Sequence, residues 1–555
     1  MSPKLPASVL ALFFACIATA QSPVSQPPKV KVLTRADTLR GTITPERAWW
    51  DVVRYDVTVT PDYNNKSITG ISRITYTTTT ASSGKKMQID LQEPLVIDSI
   101  LLNKTTRPAF TRDGNAWFLD VPEQKKSTTG VLEIFYHGAP ARSWKFIKDS
   151  LDRPWMTAVC QGLGASSWYP CKDHQSDEPD KGASLTIIVP DTLKAIANGR
   201  LLSEHANNDG TTTYKWGVVN PISTYCLIPY IGKYVNFSDQ YDGLKGKLDL
   251  NFWVLDYNAA RAKDYMLPQV HAMMKSMEHW YGPYPFYEDG YKLVDAPNAG
   301  MEHQSAVSYG NKYKFGYLGR DESGTGWGLK WDFIIVHESG HEWFGNNITA
   351  KDQADMWVHE GFTNYSETMF VDYTYGKEAG NLYNAGDRRN IKNDRPIIAR
   401  YGVNDKGSID MYYKSGNMLH AIRHSMDDDE KFIQILHGLT KTFYHQTVTT
   451  QQIETYFSKQ AGFDYQKVFD QYLRTTQIPR LEFSVSEDGK KVSYRWTNCV
   501  SGFNLPLVLT NESSHIKILP TEEWKTSSLK DKENALFNES EIVKMYYITA
   551  MPVSK

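Results

Sequence analysis

The alternation of apolar and polar positions divides this chain into three stretches. From Asp51 onward, Val53, Tyr55, Val57 and Val59 alternate with Arg54, Asp56, Thr58 and Thr60, the period of a strand with one buried face. Short runs of the same kind recur at Ile71–Tyr76, Val131–Tyr136 and Leu185–Val189, separated by turn residues. Residues 48–257 are therefore expected to form a large antiparallel β-domain. Near residue 258 the period changes. Val270, Met273, Met274, Met277 and Trp280 repeat at helical spacing, and Gly282-Pro283 closes the segment. The methionine stripe reads as core packing. Thr449 to Gln452 has the form of a capping box before another amphipathic helix. Residues 258–478 thus read as a mostly helical domain. After Pro479 strands return. Phe483 and Val485, then Val492, Tyr494 and Trp496, alternate on either side of an Asp488-Gly489 turn, and apolar runs follow at 505–511, 515–520 and 545–551. Residues 479–555 are expected to form a small β-sandwich. The fold class is multidomain α+β, without internal repeats.

The ends and the composition change this picture in a few places. Lys4, the apolar run Ala7 to Ala20 and Ala18-Thr19-Ala20 before Gln21 have the form of a secretory signal over residues 1–20. The run is too short to span a membrane, and no later segment reaches that length. The mature chain is expected to be exported, periplasmic or secreted. Cys16 leaves a lipid anchor open without a convincing lipobox. Residues 21–47 are rich in Pro, Ser, Thr and Lys without periodicity, and read as a linker or arm. A chain of 555 residues is too long for one core. Its net charge of −2, without charged blocks, points away from nucleic acid and anionic membranes as partners. Cys160, Cys171, Cys226 and Cys499 are too few for a disulfide scaffold. A Cys160–Cys171 bridge and buried free thiols both remain open.

The chemistry concentrates in VHESGHEWFGN, Val336 to Asn347, where His337, Glu338 and His341 form an H-E-x-x-H motif. Glu360 follows with 18 residues between it and His341. On a helix, residues four apart share a face, so both imidazoles can reach one cation. Glu338 is turned about 100° from His337, close to the metal but free to handle protons. Glu360 lies in DMWVHEGFTNYSE, which reads as a second helix. Three protein ligands leave one position open for water, as a catalytic zinc requires. A surface helix with two histidines is the plainer reading. Against it stands the apolar lead-in WDFIIV, Trp331 to Val336, which buries the motif. Buried His and Glu need partners, and a metal supplies them. One Zn2+ per chain is expected, since two His and one Glu favour zinc among divalent metals. Zinc lowers the pKa of its water toward neutrality, and Glu338 takes a proton from that water and passes it to the leaving amine. The oxyanion then needs a second stabiliser. Asn364 and Glu367, four and seven residues beyond Glu360, share its helix face. They read either as support for a ligand imidazole or as a solvated polar stripe.

HEWFGN, the 18-residue gap and WVHEGFTNYSE resemble the M1 family of zinc aminopeptidases. PYPFYEDGYKLVDAPNAGMEHQS, Pro283 to Ser305, resembles the segment with the family's G-x-M-E-N exopeptidase motif. DMYYKSGNMLH, Asp410 to His420, resembles the segment with its catalytic tyrosine, and Gln161 to Pro179 resembles a segment lining its substrate site. The resemblance implies a saddle-like N-terminal β-domain, a thermolysin-like catalytic domain and a small C-terminal β-sandwich. It implies a short three-domain form, leukotriene A4 hydrolase/aminopeptidase N-like. The large helical domain that roofs the site in many members is not expected, so the cleft should be more open or closed by a neighbouring subunit. The activity implied is hydrolysis of the N-terminal bond of peptides with a free N-terminus. Glu302 matches the residue that holds the substrate ammonium, and Gln161 matches a position that helps it. Gly300 and Met301 match residues that offer backbone groups to the substrate. Tyr412 matches the catalytic tyrosine, with Tyr413 as a one-residue slip, because Ser415 stands where the pattern has Gly. Ala299 and His303 depart from the exopeptidase motif, which bears on cleft shape and first-residue preference. Epoxide-type hydrolysis of a non-peptide substrate, endopeptidase action and a non-catalytic scaffold are the competing readings. Glu302 and Gln161 weigh against endopeptidase action, and the full set of ligands with Glu338 weighs against a scaffold.

Overall fold

The computed structural model describes residues 31–554 apart from Ser83 and Ala141. The expected signal segment and the first part of the expected linker lie outside the described residues. Leu33–Lys555 form one compact unit; of the other unit, Met1–Val32, Lys31 and Val32 are described, both exposed.

The second half of the expected linker is partly helical. Helix α1 (Arg35–Gly41) opens with a capping box: Thr34 Oγ accepts from the Asp37 amide, and the Asp37 carboxylate accepts from the Thr34 amide at 2.9 Å. Seven residues make too short a helix to persist alone. Its carbonyls are held from outside, by Gln88 Nε2 on Leu39 and Arg47 Nη1 on Arg40, both at 3.0 Å. Arg47 is itself buried and paired with Asp90.

The N-terminal β region is built on seven strands: β1 (Trp50–Asp62), β2 (Ser67–Thr78), β3 (Val96–Leu102), β4 (Thr129–Gly138), β5 (Ala183–Pro190), β6 (Arg200–Ala206) and β7 (Thr211–Val218). They lie in the order β6-β7-β5-β1-β2-β4-β3. All pairs are antiparallel except β1 with β5, which is parallel. The long excursion between β4 and β5 supplies the crossover a parallel pair needs. Alternation along β1 differs from expectation at one place. Val52 is buried and Val53 is not, because a bulge between Val52 and Arg54 shifts the register against β2.

A five-stranded sheet continues the chain. It contains β8 (Tyr234–Gly243), β9 (Gly246–Leu255), β10 (Tyr291–Asp295), β11 (Gly300–Met301) and β12 (Val307–Tyr309), in the order β8-β9-β10-β12-β11. Its hydrogen bonding therefore crosses residue 257. Between β9 and β10 runs α2 (Ala259–Tyr281), which buries the methionine stripe and ends at Gly282, φ +87°. Three further helices carry the chemistry: α3 (Phe333–Gly340), α4 (Trp357–Tyr375) and α5 (Tyr413–Met426). The capping box at Thr449 and Gln452 is present. The C-terminal β region has a four-stranded and a two-stranded sheet, with a helix at Glu539–Met545 inside the apolar tail. Two apolar cores result. One fills the N-terminal sheet; the other runs from Tyr241 through the helices to Ala550. All four cysteines after residue 30 are free. No helix among the described residues is long and apolar enough to cross a membrane.

Candidate metal centre

Asp332 caps α3, its carboxylate accepting from the Ile335 amide at 3.1 Å. The helix is short, and His341 follows its last residue in helical conformation (φ −62°, ψ −19°), so the four-residue spacing still sets both imidazoles on one face. The tight turn after it requires Gly345, at φ +130°, where a Cβ would sit 3.0 Å from His341 Nδ1. Helix α4 packs across α3 and delivers Glu360 from its first turn.

The structure brings His337, His341 and Glu360 together, with ligand atoms within 4.8 Å of one another. His337 Nδ1 lies 2.7 Å from Glu367 Oε1. His341 Nδ1 lies 3.0 Å from the Phe344 carbonyl and 3.1 Å from the Thr363 hydroxyl. These acceptors hold the Nδ1 protons and turn both Nε2 lone pairs toward Glu360, at 3.9 and 3.4 Å from its Oε2. Glu360 Oε2 is buried and lacks a hydrogen-bond partner. Two imidazole lone pairs and an orphaned carboxylate oxygen fit a zinc ion. Of the two candidates for support, Glu367 holds the imidazole; Asn364 Nδ2, at 3.4 Å from both Glu367 oxygens, supports Glu367.

The surrounding charge also favours a cation. Burial works against protonation of His341, but Glu360, Glu302 and Glu338 outweigh it and push the ring up to about 10. Burial likewise raises Glu360, yet His341 overrides it and holds the carboxyl down to about 2. Glu338 is pushed up to about 7, first by burial and then by the charge of Glu302, against His337.

Glu302 and Gln161 arrive from opposite sides. Glu302 follows the edge strand β11, and its own carbonyl is held by Asn346 Nδ2 at 2.9 Å. Gln161 comes from the N-terminal β region and donates Nε2 to Glu302 Oε1 at 2.6 Å and to Glu360 Oε1 at 3.1 Å. Gly300 lets Glu338 pack on the backbone, since a Cβ there would lie 2.5 Å from Glu338 Oε1. The ring of Tyr412 stacks beside His337 at 6.1 Å, and its hydroxyl is raised by burial and then by Glu360. Tyr413 faces Glu367 and Asp387 instead, whose charges add to burial in raising its hydroxyl. Of the two departures from the motif, His303 is fully buried against the Tyr230 hydroxyl and Ala299 is partly buried against the larger apolar core. Tyr225 was not legible in the sequence. Its hydroxyl donates to Glu302 Oε1 at 2.9 Å across 77 positions, with no motif around it.

The profile of the Peptidase M1 N-terminal domain matches residues 52–226, and that of the Peptidase family M1 domain matches residues 265–472. A leucyl aminopeptidase of Saccharolobus solfataricus is 22% identical over 66% of this chain and 47% of its own length. Human aminopeptidase N is 28% identical over 39% of this chain and 22% of its own. The chain thus spans less than half the length of either relative. The M1 zinc metallopeptidase of Deinococcus radiodurans shares the fold with a TM-score of 0.64 at 20% identity, over 77% of this chain and 95% of that one.

Proposed function

This chain belongs to peptidase family M1, and from that premise we propose that it is an aminopeptidase with one zinc ion per chain, releasing the first residue from peptides with a free N-terminus. The observation that carries the reading is the Gln161 amide bridging Glu302 to the ligand Glu360. It sets an anchor for an ammonium directly beside the metal ligands. Glu302 Oε1 is taken by Gln161 and Tyr225, which leaves Oε2 for the substrate ammonium. Gln161 has both its bonds from Nε2, which leaves its carbonyl oxygen for a second ammonium N–H. The edge strand β11 offers Gly300 and Met301 backbone groups to the substrate chain. Zinc bound by His337, His341 and Glu360 supplies Lewis acidity toward the scissile carbonyl and toward water. Glu338, with its proton affinity near neutrality, takes a proton and hands it to the leaving amine. Tyr412 keeps its proton and donates to the oxyanion.

The test is hydrolysis of aminoacyl fluorogenic amides beside their N-acetylated forms. Free-amine substrates alone should be cleaved, and Glu302→Ala should lower kcat/KM for them by about 10–100-fold. Equal cleavage of the blocked forms would sink the aminopeptidase reading. Export after loss of residues 1–20 belongs to the same proposal, supported by the apolar run before Ala18-Thr19-Ala20. The mature protein should then begin at Gln21, and an intact Met1 in exported protein would contradict it.

A further inference from the structure

A cavity adjoins the Gln161–Glu302 pair and takes part of its wall from α1; Arg40, Gly41, Gln161, Tyr225, Met356 and Lys406 are among the residues that line it. Three of its polar side chains, Asp173, Asp352 and His174, already have protein partners. Asp173 takes hydrogen bonds from the Ser166 amide at 3.4 Å and hydroxyl at 2.5 Å. Asp352 takes them from the Ala354 amide at 2.9 Å and the Gly402 amide at 2.8 Å. The His174 ring is engaged at both nitrogens, by the Ser176 hydroxyl at 2.8 Å and the Gly41 carbonyl at 3.2 Å. The cations are not occupied. Among the described residues, neither the Arg40 guanidinium nor the Lys406 ammonium forms a hydrogen bond or ion pair. Gly164, at φ +93°, lets the Asp173 carboxylate and the Arg40 guanidinium approach its backbone closely. A Cβ there would lie 2.0 Å from Asp173 Oδ2 and 2.8 Å from Arg40 Nη2.

Beyond the Gln161 carbonyl oxygen left for the ammonium, the open side-chain capacity at Arg40 and Lys406 is donor capacity, which a ligand bringing acceptors would satisfy. An anion gains most, because both open donors are cations and Arg presents a planar fork to a carboxylate. The cavity's position says which anion. Gln161 and Tyr225, the two donors to Glu302 Oε1, form its near wall. A peptide whose ammonium rests on Glu302 has its first side chain beside that wall. Helix α1 brings Arg40 there through its own capping box, which fixes where the helix starts and hence where its last turn falls.

Resting on the aminopeptidase reading, we infer that Arg40, assisted by Lys406, recognises the side-chain carboxylate of an acidic first residue, so that the enzyme prefers peptides beginning with Glu or Asp. Arg40 is a specificity residue for that reaction, contributed by a segment that precedes both matched domains.

The test uses the full zinc-loaded enzyme and the methylcoumarin amides of Glu, Asp, Gln, Leu and Lys. Wild type should favour Glu and Asp over Leu. Arg40→Ala should lower the ratio of kcat/KM for Glu over Leu by about tenfold or more, chiefly through KM. Arg40→Lys should keep part of the preference, and Arg40→Glu should turn it toward Lys. These two variants separate the reading of charge from a loss of fold. Glu and Asp turned over no better than Leu by wild type, or a Glu/Leu ratio unmoved by Arg40→Ala, would overturn the inference while leaving the aminopeptidase reading intact. No turnover of any free-amine substrate by wild type would overturn both.

Discussion

His303 stands where the exopeptidase motif of the family has asparagine, and the fold has buried it completely. Tyr230 donates to the Ala306 carbonyl at 2.8 Å, so its oxygen accepts from His303 Nδ1 at 2.5 Å. Nε2 then carries a lone pair without a partner. Burial holds this ring down to about 3, from an ordinary 6.5. The folded value lies below the unfolded one, so the neutral ring contributes stability that is fully present above about pH 6.5. That stability is lost as the pH falls toward 3. The expected loss from this group is about 1.4 kcal/mol per pH unit below 6.5. Urea midpoints of wild type and His303→Asn at pH 7.5 and 5.0 would measure it. Wild type should lose more stability than the variant, and a difference between them that does not change with pH would refute the assignment.

At the scale of elements, the site depends on how closely three helices approach. A Cβ on Gly340 of α3 would lie 2.7 Å from Ser366 Oγ, and one on Gly361 of α4 would lie 2.6 Å from Ser415 Cβ on α5. Ser415, the departure that made the tyrosine alignment ambiguous, is thus matched by a glycine one residue after the ligand Glu360. Gly361→Ala should push α4 from α5, costing about 1–3 kcal/mol by overpacking and displacing Glu360 from Tyr412. Zinc retention against a chelator should fall, and Gly361→Ala/Ser415→Gly should restore it. If the double variant released zinc as readily as the single one, the close approach would not be the cause.

At the scale of the whole molecule, the catalytic helices and the C-terminal β region share one apolar core. Polar bonds cross between them. Tyr472 donates to the Tyr547 carbonyl at 2.9 Å, Arg388 Nη2 to the Lys544 carbonyl at 2.9 Å, and Asn393 to the Tyr547 hydroxyl at 2.7 Å. The two regions should therefore unfold together. Calorimetry that found the C-terminal region melting first, with zinc-dependent activity intact, would contradict this. A folded fragment ending near residue 478 is not expected, because it would strip buried Tyr472 of Tyr547, which packs on its ring and accepts from its hydroxyl.

The candidate metal-holding residues were legible in the sequence because their geometry is local. Helical periodicity alone sets His337 and His341 on one face, and alternation alone marked β2, β4 and β5. Other features needed the fold. The bulge that exchanges Val52 for Val53 depends on register against β2. Helix α1 left only the short signal of Thr34 and Asp37, and its carbonyls are satisfied from Gln88, Arg47 and the Asn404 amide. Tyr225 reaches Glu302 through a contact between segments far apart in the chain, which no local period records. The sequence by itself determined which residues can hold a metal and move a proton. Tertiary packing decided what surrounds them, because burial, orphaned lone pairs and unpaired cations exist only once distant segments meet.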